Sequence, residues 1–219
     1  MILEEFLDNA HSLGIKINRS SVKTRDYIDL ESFFLYSTIH ISSSIRVARY
    51  IEYWVYSYGK YLSVKRINDH IKLGHPYRPE FLNGLLKIID ANFDKSGPLK
   101  GLFQKTPNET KEAISIVAGY EFKKLDPNWE SVGVLAPVFI PDEMEKTIHS
   151  LDWISKNCPE IYYRMQGISP VLSDIRAYMF FKNKVSLYRV AKDLNLTYAC
   201  VHQNYKKYLE PFGINISNS

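Results

Sequence analysis

Apolar positions recur at three- and four-residue intervals along most of this chain, the spacing of a buried stripe on an α-helix. Ile2 to Leu13 is the first such stretch, and Gly14 follows it as a C-terminal stop. A polar, basic run, KINRSSVKTRD, separates it from the apolar segment LESFFLYSTIH. Ser42 to Ser44 then introduce a stronger pattern, in which Ile45, Ala48, Ile51, Val55 and Tyr58 share one face and Gly59 closes the helix. Ser63 caps VKRINDHIKL, which stops at Gly74. Pro76 and Pro79 delay the next helix to about residues 80–92.

The stretch DKSGPLKGLFQKTP, with its paired glycines and prolines, reads as a linker. Beyond it, Thr106 and Glu109 have capping-box spacing with Pro107 at the first helical position, which predicts a helix continuing to about Leu125. WESVGVLAPVFIP reads as extended, and Pro137 and Pro141 argue against a central strand there. A helix from Pro141 to about Lys156 comes next, and Ser169 with Pro170 caps another that runs to about Lys182. The expected fold is mainly α and multi-helical, in three regions: an N-terminal helical unit over 1–94, an acidic helical middle over 95–168, and a C-terminal unit over 169–219.

The C-terminal unit holds the most specific signal, SLYRVAKDLNLTYACVHQNYKKYL over 186–209. It predicts two short helices joined by a tight turn. Leu187, Val190, Leu194, Leu196 and Val201 supply an apolar skeleton, and Ala191 is the small residue on which a second helix can pack closely. Asn195, in the turn, tolerates a left-handed backbone better than any residue except glycine. These residues resemble the helix-turn-helix superfamily of DNA-binding domains. One position departs from that pattern: an aliphatic residue is usual where Asn204 stands, and Tyr205 beside it is the candidate to take over its packing role.

The resemblance implies that Thr197, Tyr198, Ala199, His202, Gln203 and Lys206 face the major groove. Gln reads adenine with two hydrogen bonds, Lys takes guanine or phosphate, and Thr at a helix start bonds phosphate. Arg189 and Lys207 in the same unit, and Lys65 and Arg66 further upstream, complete the expected DNA-binding set. A full winged domain is not expected, because little chain follows Gly213, although GINIS could form one edge strand.

Charge adds a second basic region to this picture. Over 41–89, and again over 161–219, eight Lys/Arg stand against three Asp/Glu, so the net charge of +4 conceals two basic blocks around an acidic middle. Counted from Ser63, apolar residues Val64, Ile67, Ile71 and Leu73 fall at the same offsets as Leu187, Val190, Leu194 and Leu196 counted from Ser186. This register predicts a degenerate second tri-helical unit within 41–89, with Asn68 in place of the small residue and a longer turn at GHPYRP.

Hydrophobic residues at 45% and charged residues at 24% indicate a folded, soluble chain. No apolar run reaches the roughly 18 residues that a membrane span needs. Two cysteines without a close partner, Cys158 and Cys200, and an acidic start point to a reducing, cytoplasmic setting.

Searching for chemistry yields no catalytic constellation, metal site or cofactor motif. His70 and His75 flank Gly74, which breaks the helix face they would have to share as ligands, so they read as solvated loop histidines. SSVK over 20–23 matches an acyl-enzyme spacing without that family's other motifs. The aromatic run YIEYWVYSYGKY over 50–61 reads as core on one side, with a protein or nucleic-acid surface as the alternative.

The expected function is a sequence-specific regulator of transcription that binds double-stranded DNA, with symmetric sites calling for a homodimer. The alternatives are a protein-interaction module of antitoxin or immunity type, binding through the acidic middle or the aromatic helix, and a nucleic-acid-processing enzyme.

Overall fold

The computed structural model describes residues 1–17, 25–93, 100–103, 114–140, 144–182 and 184–213. It is 66% helical, with twelve helices and a two-stranded sheet among the described residues. The N-terminal helices are α1 (Leu3–Ser12), α2 (Leu30–His40), α3 (Ile45–Tyr58), α4 (Val64–Lys72) and α5 (Pro79–Phe93). Asp29, Ser44 and Ser63 start three of them, each accepting a hydrogen bond from an amide three residues on. Gly74 ends the run of α4 with a φ of +81°, a backbone that costs a side-chain-bearing residue dearly.

Residues 114–125 are not helical. Ile114–Ser115 forms strand β1, which pairs in parallel with β2 (Val134–Leu135) through Ile114 N to Gly133 O and Ile116 N to Leu135 O. Ile116, just past β1, is buried, and its amide is satisfied by Leu135 O, a pairing with a distant segment rather than with its own turn. The capping box at Thr106 and Glu109, the SSVK stretch and most of GINIS lie outside the described residues. A single helical turn, α6 (Pro127–Glu130), sits between the strands and carries the buried Trp129.

The helix expected over 141–156 is divided into α7 (Met144–Thr147) and α8 (Leu151–Asn157). A tertiary contact breaks it: Ile148 bridges Ile15, Lys16 N donates to Thr147 O, and His149 N donates to Gly14 O. Ser150 then caps α8 through the amide of Trp153. Four further helices complete the chain: α9 (Pro159–Met165), α10 (Pro170–Phe181), α11 (Leu187–Asp193) and α12 (Tyr198–Tyr208).

Two hydrophobic clusters result. The larger runs from Phe6 to Ile161, so the N-terminal helices and the middle region share one core. Trp129 shows how closely they fit: a Cβ on Gly84 of α5 would meet its ring at 1.8 Å, so only glycine admits that indole. Trp129 Nε1 also donates to Glu52 Oε1 of α3 at 2.8 Å. The smaller cluster is built by α10, α11 and α12 around Ile175, Val190, Val201 and Leu209. None of the described helices is long and apolar enough to cross a membrane.

Candidate nucleic-acid interface

The chain of residues 186–209 folds locally for reasons that its side chains state. Ser186 accepts from the amide of Arg189 and starts α11; Thr197 accepts from the amide of Cys200 and starts α12. Between them Leu194 ends α11, and Asn195 takes a φ of +51°. Leu187, Val190, Ala191, Leu194 and Val201 are buried, and Leu196 packs half-buried against them. Asn204 turns its amide back to Cys200 O at 2.8 Å, while Tyr205, 4% exposed, fills the place that the sequence left open at Asn204.

The opposite side of α12 faces solvent. Thr197, Tyr198, Ala199, Gln203, Lys206 and Lys207 are exposed, and His202 is half-buried with its ring stacked on Tyr198. Lys206 pairs with Glu210 at 2.6 Å, and Lys207 lies over the ring of Tyr208. Arg189 on α11 is exposed and bonds Asp193 at 2.7 Å. Ion pairs this exposed are screened by solvent and can exchange for a phosphate. This face of α12 is therefore basic, with two exposed tyrosines, Tyr198 and Tyr208, on it.

The N-terminal basic block behaves differently. Lys65 is exposed, but Arg66 is buried and pairs with Asp29, Glu31 and Asp174, so its guanidinium is not presented to a phosphate. Leu73, which the internal register placed in a buried position, is 56% exposed. Helix α5, the counterpart of a reading helix, buries Phe81 to Leu86 in the large core. The 41–89 unit thus offers no second reading head. Helix α3 is likewise covered: Tyr53, Trp54 and Tyr58 are buried and Tyr56 stacks on Phe139, which removes the aromatic helix as an open docking surface.

What α4 does offer is proximity. A groove of about 470 Å³ lies between α4 and the C-terminal turn, bounded by Lys65, Lys72 and Leu73 on one side and by Val171, Asn195 and Leu196 on the other. Lys65 and Lys72 therefore stand beside the turn of the C-terminal unit.

Beneath the groove an ionic network joins the two cores. Arg164 of α9 binds both carboxylate oxygens of Glu31 and donates to Asp174 Oδ1 at 2.6 Å and to Tyr61 O at 3.0 Å. Arg66 Nε lies 3.0 Å from Asp174 Oδ2. Asp29, Glu31 and Asp174 converge closely enough to hold a metal ion, but Arg66 and Arg164 already supply the positive charge among them. Burial pushes the Asp174 carboxyl up, with Glu31 and Asp29 adding to the rise and the two arginines opposing it. Burial also raises Asp29, yet the His70 hydrogen bond and the Arg66 charge outweigh it and hold this carboxyl well below the usual range.

His70 and His75, expected to be solvated, are half-buried and hydrogen-bonded to each other at 3.3 Å between Nδ1 and Nε2. Five residues apart across Gly74, they meet because the left-handed turn folds His75 back on α4, with His75 N bonded to His70 O. No spacing rule for a single helix face detects such a pair. Compared with known proteins, the chain matches no protein-family model, no curated protein and no solved structure.

Proposed function

We propose that this protein is a sequence-specific, double-stranded-DNA-binding protein of helix-turn-helix type, acting as a transcriptional regulator in the cytoplasm. One observation carries the reading. Helix α12 buries Val201, Tyr205 and Leu209's neighbourhood on one side and leaves Thr197, Gln203, Lys206 and Lys207 exposed on the other, held over a left-handed turn at Asn195. A helix so mounted fits a major groove, with Gln203 reading base edges and Thr197, Lys206 and Lys207 meeting phosphate. Lys65 and Lys72 beside the turn extend the positive surface.

Selection of a preferred site from random duplex DNA tests the proposal, followed by titration of Gln203→Ala on that site. The expected loss is roughly 1–3 kcal/mol, with preference relaxed at one base pair. If Gln203→Ala, His202→Ala and Lys206→Ala all bind the selected duplex like the parent, α12 does not read DNA.

A second reading, a protein-interaction module of antitoxin or immunity type, is favoured by Phe180 and Tyr188. Both lie on the C-terminal unit and are 57% and 70% exposed. Aromatic side chains are enriched among the anchors of protein–protein interfaces, and these two are free to serve as such. They serve equally well in a homodimer on a symmetric operator, and light scattering of the free protein distinguishes self-association from a need for another chain.

A further inference from the structure

At the start of α2, four polar side chains from three separate places in the sequence form one hydrogen-bonded chain. Ser32 Oγ lies 3.3 Å from His75 Nδ1, His75 Nε2 lies 3.3 Å from His70 Nδ1, and His70 Nε2 lies 3.0 Å from Asp29 Oδ1. Asp29 and Ser32 also line a cavity of about 540 Å³, a volume suited to a small-molecule ligand. From this geometry we infer that Ser32 is an activated nucleophile, and that the cavity takes a small-molecule ester or amide for acyl transfer to water.

The direction of the chain follows from proton counting. Asp29 is ionised and only accepts, so His70 must donate from Nε2. A neutral imidazole carries one proton, which leaves His70 Nδ1 an acceptor and makes His75 Nε2 the donor to it. His75 Nδ1 is then an acceptor too, and the Ser32 hydroxyl must donate to it. Here the hydroxyl donates to an imidazole backed by a second imidazole, which the carboxylate of Asp29 orients, an arrangement one link longer than a serine–histidine–carboxylate triad. Burial, followed by the charge of His70, lowers the His75 pKa, which favours the neutral form that the chain requires. The charged groups around the pair are Asp29 from the start of α2 and Arg66 from α4, and Tyr36 stands edge-on to His75.

The step balances without a co-reactant other than water. Ser32 Oγ bonds to the acyl carbon, the carbonyl pair moves to oxygen, and the hydroxyl proton passes to His75 Nδ1. Collapse of the adduct expels the leaving alcohol or amine, which takes that proton. Water then attacks the acyl-serine by the same route, releasing the acid and restoring Ser32. His70 acts through His75 and is a positioning residue. The charged groups at the cavity wall include Asp26, paired with Lys182, and Arg25, paired with Glu160, so the lining does not fix the charge of the substrate.

The test uses the full chain and a neutral fluorophosphonate. Intact mass should show a single adduct, mapped to Ser32. Ser32→Ala should take up none. His75→Gln should slow labelling by about 100-fold or more. Adding a proton to the histidine pair reverses the chain and makes Ser32 an acceptor, so the labelling rate should rise with pH through the imidazole range and then level off. The parent's imidazole nitrogens, read by NMR in mildly alkaline solution, should show both histidines protonated on Nε2, and His70→Gln should shift the His75 tautomer. Failure of the probe to label the parent overturns the proposal, as does parental labelling in Ser32→Ala or His75→Gln. A proton on His75 Nδ1 in the folded parent overturns it without recourse to any variant.

Discussion

Lys65 and Arg66 are adjacent cations on different faces of α4, and that difference decides what each can contact. Lys65 reaches solvent beside the C-terminal turn, whereas Arg66 lies among three carboxylates. Lys65→Gln should leave the unfolding midpoint unchanged and lower the salt slope of the proposed DNA binding by about 1. Arg66→Gln should instead cost roughly 3 kcal/mol of folding stability, because it strands buried carboxylates. Urea titrations of both variants separate the two roles, and equal stability losses would refute the division.

Glu52 is the other residue whose burial has a measurable consequence. Its desolvation, opposed by Arg49 and the Trp129 hydrogen bond, pushes its pKa up to about 7. A carboxyl whose folded pKa is raised favours folding while it is protonated. Its contribution is fully present below the ordinary value of 4.5 and is lost as pH rises through about 7. Glu52→Gln keeps an acceptor for Trp129 and removes the titration. Between pH 4.5 and 7, the parent should lose up to roughly 3 kcal/mol more stability than the variant. Denaturant midpoints at the two ends of that window provide the check, and parallel pH profiles would contradict it.

At the scale of elements, the turn between α11 and α12 sets the angle at which the exposed face is presented. Asn195 holds a φ of +51°, so Asn195→Gly should be neutral or slightly stabilising, whereas Asn195→Val should cost about 1–2 kcal/mol. Ala191, 5% exposed, lies where the two helices pack together. Ala191→Leu should overpack that contact by about 1–3 kcal/mol and abolish DNA binding through displacement of α12. Melting curves of the three variants test this ordering. A fully stable Ala191→Leu protein that still binds would show that the crossing is looser than the burial indicates.

At the scale of the molecule, Arg164 is the joint between the two cores. It extends from α9 to Glu31 in the larger unit and to Asp174 in the smaller. Arg164→Ala removes the two-pronged partner of Glu31 and a partner of Asp174, leaving Arg66 to offset both buried carboxylates, a change expected to cost about 3 kcal/mol. The tryptophans Trp54, Trp129 and Trp153 all belong to the larger core, so their fluorescence reports on that unit alone. In the parent, fluorescence and far-ultraviolet circular dichroism should unfold together. In Arg164→Ala the dichroism should begin to fall at lower denaturant, as the C-terminal unit separates first. Coincident transitions in the variant would show that the cores are coupled by other contacts.

The sequence by itself determined the local elements of this protein. Caps such as Ser44, Ser63, Ser186 and Thr197 act on amides three residues away, and a 3.6-residue stripe needs only its own helix to be recognised. For the same reason the skeleton of α11 and α12 was legible down to Asn195, as was the exposed face opposite it. Only the tertiary structure decided which of two neighbouring cations was buried, that Ile148 would break a helix to pair with Ile15, and that Ile114–Ser115 would be a strand against a segment some twenty residues on. It also brought Ser32 of α2 to His75, 43 residues away, and Arg164 to Glu31, 133 residues away. Pairings over such separations are fixed by how whole helices pack and by which buried charges must find a partner. No periodicity within either segment encodes them.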